Sequence, residues 1–327
     1  MSGPTIKIEG IEAAPSPSRS REGPTSGKPG LAAVREGGPS VAELRPGQRF
    51  EGRYACVRKD RLTARNGSPY LALELRDRSG TIAARVFREV DRVGSRFERG
   101  DAIRVKGKAE RFRGELHVEL DDAQRLQPGA YEAGEFLPAA YRSVEELEGF
   151  LEHLTREVYD PALRGVVEGV LASEPVAGRF RRAPCTRAGH HAYLGGLIEH
   201  TVSVGTMTAE LCQLHPRLDS DLLMAAALLH DVGKTREFTL GAEIGLSDEG
   251  RLLGHLTLGA EIVGPAAARL DPERRLALMH CVLSHHGPEA GPGRGGGSRG
   301  FASPEAVALY RLNALDAQVK GVLEHGL

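Results

Sequence analysis

The chain has no tryptophan and only four methionines, and 5% of its residues are aromatic, so its cores must be built mainly from aliphatic side chains. Its four cysteines, Cys56, Cys185, Cys212 and Cys281, are scattered with no C-x-x-C pair. That excludes a disulfide scaffold and a structural zinc ribbon and leaves them as buried thiols. No apolar run approaches the roughly 18–20 residues needed to span a bilayer. The opening MSGPTIKIEG has no basic stretch leading into an apolar one. The expectation is a cytoplasmic protein without a membrane partner. The G-x-x-x-x-G-K-[ST] loop is also absent, which disfavours a nucleotide-driven motor.

What the chain does have is length and an uneven charge. Its 327 residues, 40% hydrophobic and 27% charged, suit two globular domains. The net charge of −1 hides an asymmetry: residues 45–128 hold 20 Lys and Arg against 13 Asp and Glu, a net +7, while 1–44 are balanced and 129–327 carry −8. A basic front attracts a polyanion and an acidic rear attracts cations.

Residues 1–40 are rich in Gly, Pro and Ser and read as a disordered tail. Within 41–128 the stretches RFEGRYACV, YLALELRD and TIAARVF read as strands, separated by the turn signals Asn66-Gly67 and Ser79-Gly80. A short helix over EVDRVGSRFERG follows, then the strands DAIRVKGKAE and GELHVEL. Three strands, a helix and two strands resemble the OB-fold barrel, an all-β unit that commonly holds single-stranded nucleic acid. Tyr54, Tyr70, Phe87 and Phe112 alternate with Arg53, Lys59, Arg61, Arg65, Lys106, Lys108, Arg111 and Arg113, which suits stacking on bases and pairing with phosphates. About half of these aromatics are expected to point inward.

Residues 129–142 read as a linker, and 143–327 as an all-α domain. Ser143 and Glu146 form a capping box before the apolar stripe Val144, Leu147, Phe150, Leu151 and Leu154. Further helices are expected over Pro161–Leu171, His191–Leu214, Asp219–His230, Thr257–Leu270, Pro272–Ser284 and Pro304–Leu323, with 287–300 as a flexible glycine-rich loop.

The helical part gathers His190, His191, His200, His230-Asp231, His255, His285-His286 and Asp316 at intervals of about one helical hairpin. His230-Asp231 closes the apolar run LLMAAALL, and a carboxylate in such surroundings calls for compensation, most simply a divalent metal. His117, His153, His215, His280 and His325 have no acidic partner nearby and read as ordinary polar residues.

His200, His230-Asp231 and Asp316 in the pattern H…HD…D, with HDVGK at its centre, resemble the HD-domain metal-dependent phosphohydrolases. His255 and His285-His286 match the fuller set that holds two metals in phosphodiesterase branches of that superfamily. The phrases HHAYLGGLIEHT, LLHDVGKTREF, GHLTLG and LSHHG, with GEFLP and an OB-fold ahead of them, resemble the YhaM-type 3′→5′ exoribonucleases over residues 45–327. One departure stands out. After LSHHG such proteins continue with a compact Glu-Phe-Gly-Ser segment, where this chain has the glycine-rich stretch.

The resemblance implies a catalytic Asp231 bridging two divalent ions, Mn²⁺ foremost, with Co²⁺, Fe²⁺, Ni²⁺ and Zn²⁺ also accepted by such ligands. His200, His230, Asp231 and Asp316 are assigned to the first ion and His255, His285 and His286 to the second. Lys234 is assigned to the charge developing on phosphate. His191 and Arg187 are expected as phosphate contacts at the mouth of the site. Arg53, Lys59, Tyr70, Phe87, Lys106, Lys108 and Arg111 are expected to hold the strand on the barrel. The expected activity is 3′→5′ hydrolysis of single-stranded RNA, and of DNA as a variant of the same chemistry, in a chain compatible with a homo-oligomer. The alternatives are a phosphodiesterase acting on a small nucleotide, which leaves the basic barrel without a task, and a non-catalytic nucleic-acid-binding protein, which leaves the complete ligand set without one.

Overall fold

The computed structural model describes residues 37–287 and 301–326. Most of the expected tail and of the glycine-rich loop lies outside the described residues. Five strands form the N-terminal unit: β1 (Arg49–Thr63), β2 (Pro69–Asp77), β3 (Gly80–Val86), β4 (Ala102–Phe112) and β5 (Glu115–Arg125), with the short helix α1 (Val90–Gly94) after β3. They close into a barrel in the order β1-β2-β3-β5-β4, all pairs antiparallel except β3 with β5. That is OB-fold topology. Strand β1 is long enough to pair with both β2 and β4, and a register shift between Cys56 and Arg58 lets it bend from one to the other.

The period-two pattern of β2 is obeyed. Leu71, Leu73 and Leu75 face a barrel core shared with Ile82, Ile103, Val105 and Val118, while Tyr70, Ala72, Glu74 and Arg76 look outward. Tyr54 is the interleaved aromatic that turns fully inward, and its hydroxyl donates to the Pro39 carbonyl at 2.5 Å. Arg53 N–H donates to the Gly37 carbonyl at 3.0 Å. Residues 37–40, expected in the tail, therefore belong to the barrel. The segment expected as a linker is likewise packed: Ala133, Phe136 and Leu137 are buried, because their apolar surface gains more against the domains than in water.

The C-terminal unit is helical: α2 (Val144–Arg156), α3 (Pro161–Leu171), α4 (Val176–Phe180), α5 (Gly196–Leu214), α6 (Ser220–Leu229), α7 (Lys234–Glu237), α8 (Asp248–Ala267), α9 (Pro272–Ser284) and α10 (Pro304–His325). A hairpin of β6 (Phe238–Leu240) and β7 (Ile244–Leu246) separates α7 from α8. Ser143 caps α2 by accepting from Glu146 N–H at 3.1 Å. Helix α6 is buried on all sides from Leu222 to Leu229, as expected for a helix apolar around its whole circumference, and forms the axis of the bundle. No helix among the described residues is long and apolar enough to cross a membrane.

Candidate metal centre

The buried axis helix α6 ends in His230 and Asp231, so its C-terminus delivers an imidazole and a carboxylate to the middle of the bundle, both almost completely buried. Helix α5 brings His200 from one side, α8 brings His255 and the end of α9 brings His285 and His286. Asp231 lies between two half-sites. Its Oδ2 faces His200 Nε2 at 3.5 Å and His230 Nε2 at 3.4 Å, and its Oδ1 faces His285 Nε2 at 3.3 Å and His255 Nε2 at 3.7 Å. His286 completes the second group through a 2.8 Å approach of its Nε2 to that of His255.

The positions of the ring hydrogens set what these groups can bind. His230 Nδ1 lies 2.8 Å from the Ala227 carbonyl and His285 Nδ1 lies 2.7 Å from the Val282 carbonyl. A carbonyl only accepts, so each Nδ1 carries the hydrogen and each Nε2 turns a lone pair into the site. Burial holds His285 well below the usual imidazole range, which keeps it neutral. His255 is held the same way by Glu237 Oε1 at 3.2 Å, and His200 is fixed from both ends, with Asp316 Oδ2 2.6 Å from Nδ1 and Asn313 Oδ1 3.0 Å from Nε2. Asp231 Oδ1 and His285 Nε2 are buried and have no hydrogen-bond partner. Lone pairs and carboxylate oxygens that converge without a proton between them are a donor set for a cation, and the nitrogen–oxygen mixture suits a divalent transition metal.

Two backbone features set the spacing. Gly233 sits where an added Cβ would lie 2.0 Å from the His255 carbonyl oxygen and 2.5 Å from Gly259 N, so the turn after Asp231 presses directly on α8. Helix α8, expected to begin near Thr257, starts at Asp248 and kinks at Gly254, whose φ of 70° and ψ of 161° take it out of helical geometry just before His255.

Lys234 is buried, with Nζ 2.6 Å from Asp231 Oδ2 and 3.3 Å from Cys185 Sγ. Burial alone would raise the Asp231 pKa, but Lys234 and His230 hold the carboxyl well below the usual range. Asp316 does not stand beside Asp231 but forms a separate trio with His191 and His200, acting on the far ring nitrogen of His200. His191, expected at the mouth, is buried. Its Nε2 bonds Asp316 at 2.9 Å, and its Nδ1 meets Glu199 at 3.1 Å and the Tyr193 hydroxyl at 2.9 Å. It fixes Asp316 instead of meeting solvent, and this network keeps residues 190–195 out of helix α5, which was expected to start at His191. Arg187 is exposed, with Nε 3.4 Å from the Ile244 carbonyl. Glu237, Cys185 and Asn313, whose Oδ1 lies 3.0 Å from His200 Nε2, border the site without any sequence signal beyond the phrase HDVGKTRE for the first.

On the barrel, Tyr70 and Phe87 form a tilted pair, with ring centroids 5.7 Å apart and Phe87 45% exposed. Lys106 and Lys108 lie on the outer surface in ion pairs with Glu51 at 3.2 Å and Glu110 at 3.0 Å, and Arg111 is exposed. Two expected contacts are turned to structural work. Lys59 Nζ donates to the Gly94 and Phe97 carbonyls at 2.7 and 2.5 Å, closing the C-terminal end of α1, and Arg53 Nη1 donates to the Ala130 carbonyl at 3.1 Å. The Gly94 and Phe97 carbonyls are part-buried and would be left without a donor if Lys59 turned outward.

Residues 197–318, which include His200, His230, Asp231, His255, His285, His286 and Asp316, match the HD domain family, and residues 52–126 match the OB-fold nucleic acid binding domain family. The 3′-5′ exoribonuclease YhaM of Oceanobacillus iheyensis is 30% identical over 280 residues, covering 84% of this chain and 85% of that protein. YhaM of Shouchella clausii is 27% identical over 282 residues, 85% of this chain and 86% of its own length. YhaM of Bacillus subtilis is 28% identical over 259 residues, 78% and 81% respectively. With both domains, their order and the ligand cluster in place, the chain belongs to the YhaM family of 3′-5′ exoribonucleases.

Proposed function

We propose that the protein is a cytoplasmic, metal-dependent 3′→5′ exonuclease acting on single-stranded RNA, with two divalent ions, Mn²⁺ first among them. The observation that carries this reading is Asp231, whose two oxygens face two different sets of imidazole lone pairs. His200 and His230 with Oδ2 would hold one ion, with Asp316 orienting His200, and His255, His285 and His286 with Oδ1 would hold the other. Ions held there supply Lewis-acid polarisation of a phosphodiester and lower the pKa of the attacking water. The chain does the rest. Glu237, Asp316 and the two carbonyls keep the imidazoles aimed, the half-site around exposed His286 leaves a way in for substrate, and Lys234 is the cation within reach of charge building on phosphate.

The barrel gives the reading its substrate. A Tyr70–Phe87 pair with Phe87 exposed and Tyr70 half-buried, in a basic domain, accepts any base by stacking and the backbone by charge, which suits an enzyme that must not choose sequence. Four free cysteines fit a reducing compartment. The test is incubation of 5′-labelled single-stranded RNA with Mn²⁺ or EDTA, beside Asp231→Ala. The expected result is a metal-dependent ladder shortening from the 3′ end and lost in the variant. RNA that is bound but never shortened, with hydrolysis of small nucleotides instead, overturns it.

A further inference from the structure

The hairpin β6–β7 joins two parts of the molecule that the exonuclease reading uses separately. Its base is in the metal centre: Glu237, immediately before β6, contacts His255 at both Nδ1 and backbone N, each at 3.2 Å. Its tip is on the barrel. Ala242 is 2% exposed and lies in a small apolar cluster with Ala55 of β1, Ala102 of β4 and Phe136. Ala55 pairs with Ala102 on one side and Arg76 of β2 on the other, so these three residues form one row across the barrel wall. Arg76 Nη2 donates to the Ala242 carbonyl at 3.0 Å. The flank of the hairpin is held as well, with Ile244 buried against Ala133 and Leu137 of the packed connecting segment.

Two alanines on the receiving row and one on the tip let backbones approach where any larger side chain would hold them apart. We propose that this hairpin is a positioning element which registers the barrel on the catalytic domain, and that Ala242 determines how well a long strand, as opposed to a small phosphodiester, is hydrolysed. A strand held on the barrel reaches the metals only if the two are in register, whereas a small diester diffuses in unaided. Misplacement by about an ångström costs on the order of a hundredfold in a positioned reaction. The inference rests on the exonuclease reading.

The experiment compares wild type, Ala242→Glu and the milder Arg76→Ala. The substrates are a long 5′-labelled single-stranded RNA and bis(p-nitrophenyl) phosphate, strand affinity is read by fluorescence anisotropy, and thermal melts check folding. The expected result is kcat/KM on RNA lowered by roughly tenfold to a hundredfold in Ala242→Glu and by less in Arg76→Ala. Hydrolysis of the small diester and strand affinity should stay near wild type. A parallel fall on both substrates, or RNA hydrolysis unchanged in both folded variants, overturns the positioning role alone. Wild-type protein that hydrolyses the small diester but never RNA overturns the exonuclease reading and this inference with it.

Discussion

Replacing Lys234 with Met should weaken the metal-free protein and tighten its hold on metal at the same time. Lys234 Nζ lies 2.6 Å from a buried Asp231 and is the cation that compensates it. Removing one partner of a buried pair leaves an uncompensated charge and costs about 3–5 kcal/mol. The same ammonium opposes a divalent ion arriving at Asp231. Two unit charges about 4 Å apart repel by about 1 kcal/mol even in water, and a divalent ion doubles that, so its removal should tighten binding by roughly tenfold or more. By mass action, a metal concentration that stabilises wild type by about 2.7 kcal/mol should then stabilise Lys234→Met by about 4.1 kcal/mol. Urea unfolding with EDTA and with saturating Mn²⁺ measures all four states. Equal metal stabilisation in the two proteins would refute the idea that lysine and metal compete for one carboxylate.

Further outcomes are expected elsewhere. Glu237→Gln loosens the second half-site through His255 and should weaken metal binding by about 10- to 100-fold in a metal titration, with the barrel's affinity for RNA unchanged. Phe87→Ala or Tyr70→Ala removes one stacking face and should cost about 1–3 kcal/mol of strand affinity by anisotropy, without slowing hydrolysis of a small diester. Asp160 caps α3 by accepting from Ala162 and Leu163 N–H at 2.8 and 3.0 Å, so Asp160→Ala should cost about 1 kcal/mol in urea unfolding at neutral pH. The Leu163 bond leads the effects that hold this carboxyl below its ordinary range. The unfolded chain therefore takes up the proton first, and the gap between wild type and variant should close as pH falls through the carboxylate range.

The parts of the molecule visible in the sequence are those governed by short-range pattern. Alternation at Leu71, Leu73 and Leu75 located β2, the spans Pro161–Leu171 and Pro272–Ser284 located α3 and α9, and the HD phrase located Asp231. What escaped depends on residues that meet from far apart. Glu237 and His255 are separated by an entire hairpin, and His191 reaches Asp316 across 125 positions. Lys59 and Arg53 look like phosphate contacts in any strand rich in basic residues. Only the fold shows that each satisfies carbonyls at the end of another segment. The kink at Gly254 was hidden because the helix was read only from Thr257, and the turns of α8 before that glycine carry no sustained apolar stripe.

Gly233 gives the centre its ruler. Because the bend after the HD pair and the backbone of α8 touch with no side chain between them, the distance between the two groups of ligands is fixed by main chain against main chain, the least compressible contact a protein can offer. A single methyl at that point would act as a shim. It would push the turn that carries Asp231 away from the backbone that carries His255 without altering either side chain.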